Sequence, residues 1–474
     1  MKMNNFVAVD LSSANEYPKS PFDPPEIYPE FSSLSYVNNI DHNNKVYAAV
    51  RSALQHLELD ISNLGTQFWN PFIDIVKPGD HIVIKPNLVY DKHPLGDPGI
   101  LCVISHASVV RPIIDYILLA VGNECQITIC DVPLQNADWG NLITQSGFKD
   151  LQEFYSFNNI TIDLLDLRCE ISIKVDDVIS KRLVQKNDPL GYKIVNLGTK
   201  SELMPIIQFN KKFRITNYQS MDLFQYHNKN KNEYCIPKTV LDADVFINVP
   251  KLKTHRKSGI SCALKNLIGI NGDKRYIVHH RQGGVKNGGD EYPVFKPTLI
   301  LKHRIWEYFK NHKSTIPFAR AIKWIYIGKM DLSEYSLNHK KEIMEGSWSG
   351  NDTIWRCILD INKIIFYSNK NGIIKESPQR KYLCIVDGII SGEGEGPMLG
   401  TPKNIGVIIA GSNPVAVDKI CADIMGFDYR KIPQIAKSFE SKGLHLIDFS
   451  PDIIQTNLTK MTNFNFMKSY GWNK

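Results

Sequence analysis

Residues 242–281, DADVFINVPKLKTHRKSGISCALKNLIGINGDKRYIVHHR, constrain the fold more than any other stretch of the chain. Val245, Phe246, Ile247 and Val249 form an apolar run rich in β-branched and aromatic side chains, the composition of a buried strand. Pro250 stops the run, and Lys251, Lys253, His255, Arg256 and Lys257 follow within seven residues. The pattern predicts a buried strand emptying into a cationic loop. In a parallel α/β sheet ligands sit beyond the carboxyl ends of the strands, so cations there are placed to hold an anion. The competing reading is a solvated basic turn. Against it, Gly259, Ser261, Gly269 and Gly272 bracket Ala263-Leu264-Lys265-Asn266-Leu267. Small residues there let the backbone pass close to a ligand while Lys265 and Asn266 project.

A second strand end repeats the theme. His81-Ile82-Val83-Ile84 reads as a buried strand, and Lys85-Pro86-Asn87 closes it with another lysine beside a proline. Helical spacing follows over Ser108–Leu119, with Pro112 expected in the first turn and Ser105 or Ser108 as cap. Gln126–Cys130 is the next strand, ending in Asp131-Val132-Pro133. Strand, helix, strand at this spacing is a βαβ unit and implies a parallel sheet. Phe6–Val9 is a candidate first strand and Val46–Leu57 a helix. The fold expected is therefore α/β: a mostly parallel sheet with flanking helices plus an inserted or second, smaller α+β lobe. The parts are an N-terminal α/β region at 1–150, the insertion or second lobe at 151–240, the core strand and cationic Gly-rich loop at 241–298, a basic aromatic helical segment at 299–345, and a C-terminal α/β region at 346–474.

Further candidates lie in the C-terminal region. Asn351 and Asp352 sit in a cluster that caps a helix, and Arg356 and Asp360 are four apart on that helix and could pair. Leu383–Val386 reads as a strand ending in Asp387-Gly388, and Gly406–Ala410 as another. Between them, Gly392-Glu393-Gly394-Glu395-Gly396 alternates carboxylates with glycines and reads as a loop. Glu393, Glu395 and Asp418 are hard oxygen ligands suited to Mg²⁺ or another divalent metal, although the spacing fits no standard calcium loop. A solvated loop, with Asp418 as a helix-start acid, is the alternative.

Composition bounds the function. With 474 residues, 43% apolar and 22% charged, the chain can bury a large core. A net charge of +7 suits an anionic small substrate, and no nucleic-acid motif is present, so no nucleic-acid partner is expected. The nine cysteines are scattered without a CxxC pair, which points to reduced thiols and to no iron–sulfur cluster. The N-terminus has no apolar core of signal-peptide length and no run reaches the length of a membrane span, so a cytoplasmic protein is expected. Within 299–329, Lys and Arg alternate with Trp306, Tyr308, Phe309, Phe318, Trp324 and Tyr326. This is either an ordinary surface helix pair with its aromatics inward or a basic face making peripheral contact with an anionic bilayer.

The segments IKPNLV, ADVFINVPKLKTHRKSGISCALKNLIGI, GNDTIWR, CIVDGIISGEGEGPMLGTPKNIGVIIAG and NPVAVD together resemble the DUF362 family, a group defined by a domain of unknown function, over roughly residues 75–435. PKLKTH and ALKN carry the resemblance most specifically. Many members of that family have ferredoxin-like cysteine clusters, and this chain resembles the branch without them. The resemblance implies a sheet organised like the N-terminal domain of lactate-racemase-like proteins, and no particular reaction.

Taken together, the residues suggest a cleft with a cationic and an acidic wall. Lys85, Asn87, Lys251, Lys253, Asn266, Asn351 and Arg356 would bind the substrate, and His255, Lys265, His279 and Asp387 would carry catalysis by proton exchange. The reading is an enzyme acting on a phosphorylated or carboxylated metabolite or glycan precursor, with divalent metal assistance and no assigned reaction. The alternative is a non-catalytic ligand-binding or assembly protein using the same cleft.

Overall fold

Alternation within the apolar strands sets a three-layer arrangement. A computed structural model describes residues 4–175, 178–216, 223–294, 343, 345–441 and 443–472; the basic aromatic segment 299–329 lies outside them. The main sheet has ten strands. They are β1 (Phe6–Leu11), β2 (His81–Pro86), β3 (Gln126–Asp131), β4 (Ile162–Asp166), β5 (Val245–Val249), β6 (Lys251–His255), β7 (Gly259–Ser261), β8 (Lys381–Glu395), β9 (Leu399–Gly411) and β10 (Gln455–Thr456). Their order is β10-β1-β9-β8-β5-β2-β3-β4, with β6 lying against β8 and β7 against β6. The run β8-β5-β2-β3-β4 is parallel throughout, whereas β9 is antiparallel to both its neighbours. Strands come from the N-terminal, central and C-terminal regions of the chain alike.

Period two distributes side chains between the faces. Ile82, Ile84, Val245 and Ile247 pack with helices α1 (Lys45–His56) and α2 (Ala107–Val121) on one side. Val83, Phe246, Cys384 and Ile409 pack with α4 (Ile354–Tyr367) and α5 (Pro414–Met425) on the other, where the short α3 (Ala263–Asn266) also lies. Helices on both faces explain why the parallel strands are apolar along their whole length. Smaller separate sheets pair Glu170–Val175 with Val178–Val184, join Tyr192–Asn196, Lys231–Pro237 and His227–Asn228, and pair Phe213–Arg214 with His280–Arg281. No helix among the described residues is long and apolar enough to cross a membrane.

Several local expectations are corrected. Pro112 sits at the sixth residue of α2 rather than in its first turn, and His106 rather than a serine caps the helix, its ring accepting from the Ser108 amide. Arg356 pairs with Asp352 at 2.9 Å instead of with Asp360, which is buried and accepts from Tyr234 and Ser201. The stretch after Pro250 is the strand β6, not a loop, and its alternating Lys251, Lys253 and His255 are the period-two signature of that strand. The glycine-rich acidic stretch is likewise strand: β8 runs unbroken to Glu395 in a hairpin with β9. β8 pairs with β5 over Lys381–Cys384 and with β6 from Asp387 onward, with a register shift between the Lys251 and Lys253 pairings. Glycine permits close approach here: a Cβ on Gly392 within β8 would lie 2.7 Å from the Cys102 carbonyl oxygen, and one on Gly396 just past it 1.9 Å from the Thr254 carbonyl oxygen.

A buried ionic cluster ties β6 to β8. The Lys251 ammonium lies 2.7 Å from Asp387 and also donates to the Tyr17 hydroxyl and the Ile390 carbonyl. Asp387 accepts in addition from Tyr17 Oη at 2.7 Å and the His106 amide at 3.0 Å. Both charges are fully buried and fully partnered. Removing one partner leaves the other charge uncompensated, so Lys251→Ala or Asp387→Ala should cost about 3–5 kcal/mol in urea unfolding, while Lys251→Met with Asp387→Leu should cost markedly less than the sum.

Candidate functional site

The carboxyl ends of β2 and β5 define where a ligand can enter. The chain passes from β2 to β3 on one side of the sheet, while β5 flanks β2 on the other, so the crevice beyond β2 and β5 is a topological switch point. The register pairs Lys85 with Asn248 there. Asn266 joins the two strand ends: its amide nitrogen donates to Asn248 Oδ1 at 2.7 Å and to the Lys85 carbonyl, and its oxygen accepts from Lys85 Nζ at 3.1 Å. Asn266 is held in place because α3 is anchored from below. Asp418 on α5 accepts from the Ala263 amide at 2.7 Å and the Leu264 amide at 3.2 Å, satisfying the first free N–H groups of that helix. Burial pushes the Asp418 carboxyl up to about 7.

A cavity of about 270 Å³ opens above these strand ends. It is lined by Lys85, Lys253, Lys257, Lys265 and Lys274, by Arg256, His255 and His279, and by Asn87 and Asn266. The carboxylates in its wall are Asp131 and Glu345. Asp131 is committed to the scaffold: it lies 2.7 Å from Lys85 Nζ and accepts from the amides of Leu88 and Val132. Lys253 donates to Asn87 Oδ1 at 3.1 Å and to the Val103 carbonyl, Lys274 to the Val132 carbonyl at 3.1 Å, and Lys257 to the Glu345 carbonyl. Lys265 has neither hydrogen-bond nor ion-pair partner among the described residues, and its side chain is part-exposed to the cavity.

Crowded cations in a dry wall disfavour their own charge. Desolvation, reinforced by Lys274 and Lys85, lowers Lys265 from 10.5 to about 7. Desolvation alone outweighs Asp131 in bringing Lys274 to about 8, and Lys257 also falls to about 8. Lys253 is held well below the lysine range by burial and by Lys265. Burial and the surrounding lysines hold His255 and His279 well below the usual imidazole value, so both rings are neutral near pH 7. Their neutral tautomers are complementary. The Lys257 amide donates to His255 Nδ1 at 3.1 Å, which leaves the ring proton on Nε2. His279 Nδ1 is 3.3 Å from the Ile277 carbonyl and carries the proton there, which leaves Nε2 as an acceptor. The site thus offers one neutral donor ring, one neutral acceptor ring and an ammonium that titrates near neutrality.

Of the residues singled out in the sequence, Lys85, Asn87, Lys253, His255, Lys265, Asn266 and His279 converge on this cavity. The others lie elsewhere. Lys251 and Asp387 are sealed in the buried cluster described above. Asn351 lies just ahead of α4, whose N-cap is Thr353, and accepts from the Thr353 and Ile354 amides at 3.0 Å. Arg356 is spent on Asp352 and the Glu202 carbonyl. The three acids proposed as metal ligands are not gathered at one point: Glu393 pairs with Lys403 and the Met467 amide, Glu395 with Arg256 and the Tyr470 amide, and Asp418 lies beneath α3. Among the described residues no group of three or more His, Cys, Asp or Glu side chains is placed to hold a metal ion. The acidic wall expected opposite the cations is therefore replaced by structural ion pairs. Sequence reasoning missed Lys274 and Asp131. Asp131 stands at a strand end that the sequence marks, whereas Lys274 follows an irregular Gly272-Asp273 turn that carries no periodic signal.

Gly269 lets the loop after α3 close over the cavity floor, its carbonyl accepting from the Val132 amide at 2.9 Å. A Cβ there would lie 2.4 Å from Asp131 Oδ1 and 2.7 Å from Lys85 Nζ. Gly269→Ala should therefore separate that pair and cost about 1–3 kcal/mol in urea unfolding, with anion binding weakened as well. A variant that matches the wild type in both measurements would show that the floor is not built in this way.

A computed match of 41% identity over 54 residues links the chain to a thylakoid-associated protein of Synechocystis sp., spanning 11% of this chain and 17% of that relative. A Thermotoga maritima protein of known crystal structure aligns over 80% of this chain and 57% of its own length at 8% identity, with a TM-score of 0.33. Residues 200–423, which contain β5 to β8, α3 and the cationic part of the cavity, match the family described as "Domain of unknown function (DUF362)". The match spans just under half of the chain, and over those residues the chain is similar to the DUF362 family.

Proposed function

We propose that the chain is an enzyme acting on a small anionic, phosphorylated or carboxylated, metabolite bound in the cavity at the ends of β2 and β5. The observation that carries this reading is the surplus of cations: Lys253, Lys257, Lys265 and Lys274 line one cavity whose described carboxylates are Asp131, already paired with Lys85, and Glu345. An anion would supply the missing countercharge, with Lys265 as its principal contact and Lys274 and Lys257 beside it. Catalysis would be proton transfer. His279 Nε2 is the base, His255 Nε2–H the acid, and Lys265 can exchange a proton near neutral pH. Two neutral imidazoles of opposite polarity favour an enzyme over a protein that only holds its ligand.

The pH dependence follows from the lowered lysines. Between about pH 7 and 10.5 the folded, empty protein binds fewer protons than the unfolded chain at Lys265, Lys274 and Lys257. Their contribution to stability therefore rises with pH across that window, and the penalty is fully present below it. An anion favours the protonated forms, so binding takes up protons and weakens from pH 7 to 9. Calorimetry with inorganic phosphate in buffers of different ionisation enthalpy should show net proton uptake at pH 8; proton release would contradict the assignment.

Lys265→Met keeps the aliphatic stem and removes the unpartnered charge. It should weaken phosphate binding about 10- to 100-fold while leaving the empty protein as stable as the wild type or more so. Unchanged binding would sink the proposal. With a candidate phosphorylated or carboxylated substrate, His279→Gln should abolish turnover and retain binding. A substrate recovered unchanged from the wild type would instead assign the cavity to a non-catalytic binding protein.

A further inference from the structure

The cavity is not cationic all round. Its lining also includes the apolar side chains of Val132, Ile215, Ile268, Ile277, Ile354 and Met398. Every apolar side chain in the lining is aliphatic or proline, and among the described residues the rings that line it are the imidazoles of His255 and His279 and the pyrrolidine of Pro397. A nucleobase is commonly held on an aromatic face, and a sugar ring needs polar groups around its hydroxyls. The apolar part of the described wall carries no such aromatic face, and it matches an alkyl chain. At about 270 Å³ the space is smaller than the roughly 300–1,000 Å³ of pockets for drug-sized ligands, so the chain must be short.

The cationic end also discriminates. Each ammonium has three donors, and after the hydrogen bonds described above Lys265 retains all of its own while Lys274 and Lys257 each retain two. That exceeds the roughly four lone-pair positions of one carboxylate. A phosphate monoester, with three terminal oxygens and up to two negative charges, uses them more fully. Resting on the anion-site reading above, we infer that the ligand is a phosphate monoester of a short aliphatic chain, its phosphate among Lys265, Lys274 and Lys257 and its chain along the Ile268–Ile277–Val132 wall. The aliphatic wall then acts as the specificity determinant, favouring alkyl phosphates over the phosphorylated nucleosides that the lysines alone would accept.

A ladder of inorganic phosphate, methyl phosphate, butyl phosphate and adenosine monophosphate, titrated calorimetrically into the wild-type protein at pH 7, tests this. Burying methylenes should tighten binding roughly fourfold each, so butyl phosphate should exceed methyl phosphate by tenfold or more. Adenosine monophosphate should bind more weakly than butyl phosphate. Ile268→Thr should reduce the butyl-to-methyl ratio while leaving inorganic phosphate unaffected, with urea unfolding confirming the fold. A flat ladder, or adenosine monophosphate as the tightest ligand, would overturn the aliphatic assignment and leave the anion site standing. Failure of every phosphate in the series to bind would overturn the anion site and this inference with it.

Discussion

Positive charge held in a low-dielectric wall without matching negative charge is the constraint on which this structure turns. A protein interior tolerates an ammonium group when a carboxylate or several carbonyls accompany it, and the chain obeys that rule wherever a lysine serves the scaffold. Lys85 has Asp131 and Lys251 has Asp387, each with further hydrogen bonds. Lys265 has none among the described residues; of the lysines beside it, Lys257 and Lys274 each donate to one carbonyl, and Lys253 to the Val103 carbonyl and the Asn87 amide oxygen. The contrast separates charges that stabilise the fold from charges that the fold stabilises against.

The surrounding elements are arranged to hold that unfavourable cluster in place. Parallel strands β2 and β5 bring Lys85 and Asn248 into register, and Asn266 bonds to both. Asp418 fixes the start of α3 and hence the direction of Lys265, while Gly269 permits the following loop to lie against Lys85 and Asp131. The buried Lys251–Asp387 cluster locks β6 to β8, which sets Lys253 and His255 along the cavity edge. These contacts act through others; the side chains free to meet a ligand are Lys265 and the two imidazoles. Rigid strand ends and short, tightly bonded connections suit a site whose groups must stay close despite their mutual repulsion.

Much of the scaffold was legible because its signals are local. The apolar runs at 82–84 and 245–249 are buried strands, the βαβ spacing gives the parallel sheet, and the lysines at the two strand ends meet in space. What failed to show was whether a charge had a partner. Lys251 and Lys253 stand two residues apart on one strand, yet Lys251 is neutralised by a residue 136 positions away and Lys253 faces the cavity. Long-range bonds to the Met467 and Tyr470 amides likewise committed Glu393 and Glu395, while Arg356 was taken by a local pair with Asp352. The acidic glycine repeat misled for a different reason: glycine normally weakens a strand, but here Gly392 lets β8 pass the Cys102 backbone, and Gly396 just beyond it the Thr254 backbone, at close range. Lys274 was invisible because its position depends on a turn and on a single hydrogen bond to Val132.

The most direct measurement of the central claim is the location of a heavy tetrahedral dianion in crystals of the protein. Crystals soaked in tungstate and measured at the tungsten absorption edge should show an anomalous peak within hydrogen-bonding reach of Lys265 Nζ and beside Lys274 and Lys257. The peak should disappear in Lys265→Met crystals of the same form. Tungstate bound elsewhere with the cavity unoccupied, or a peak there that survives the substitution, would contradict the account.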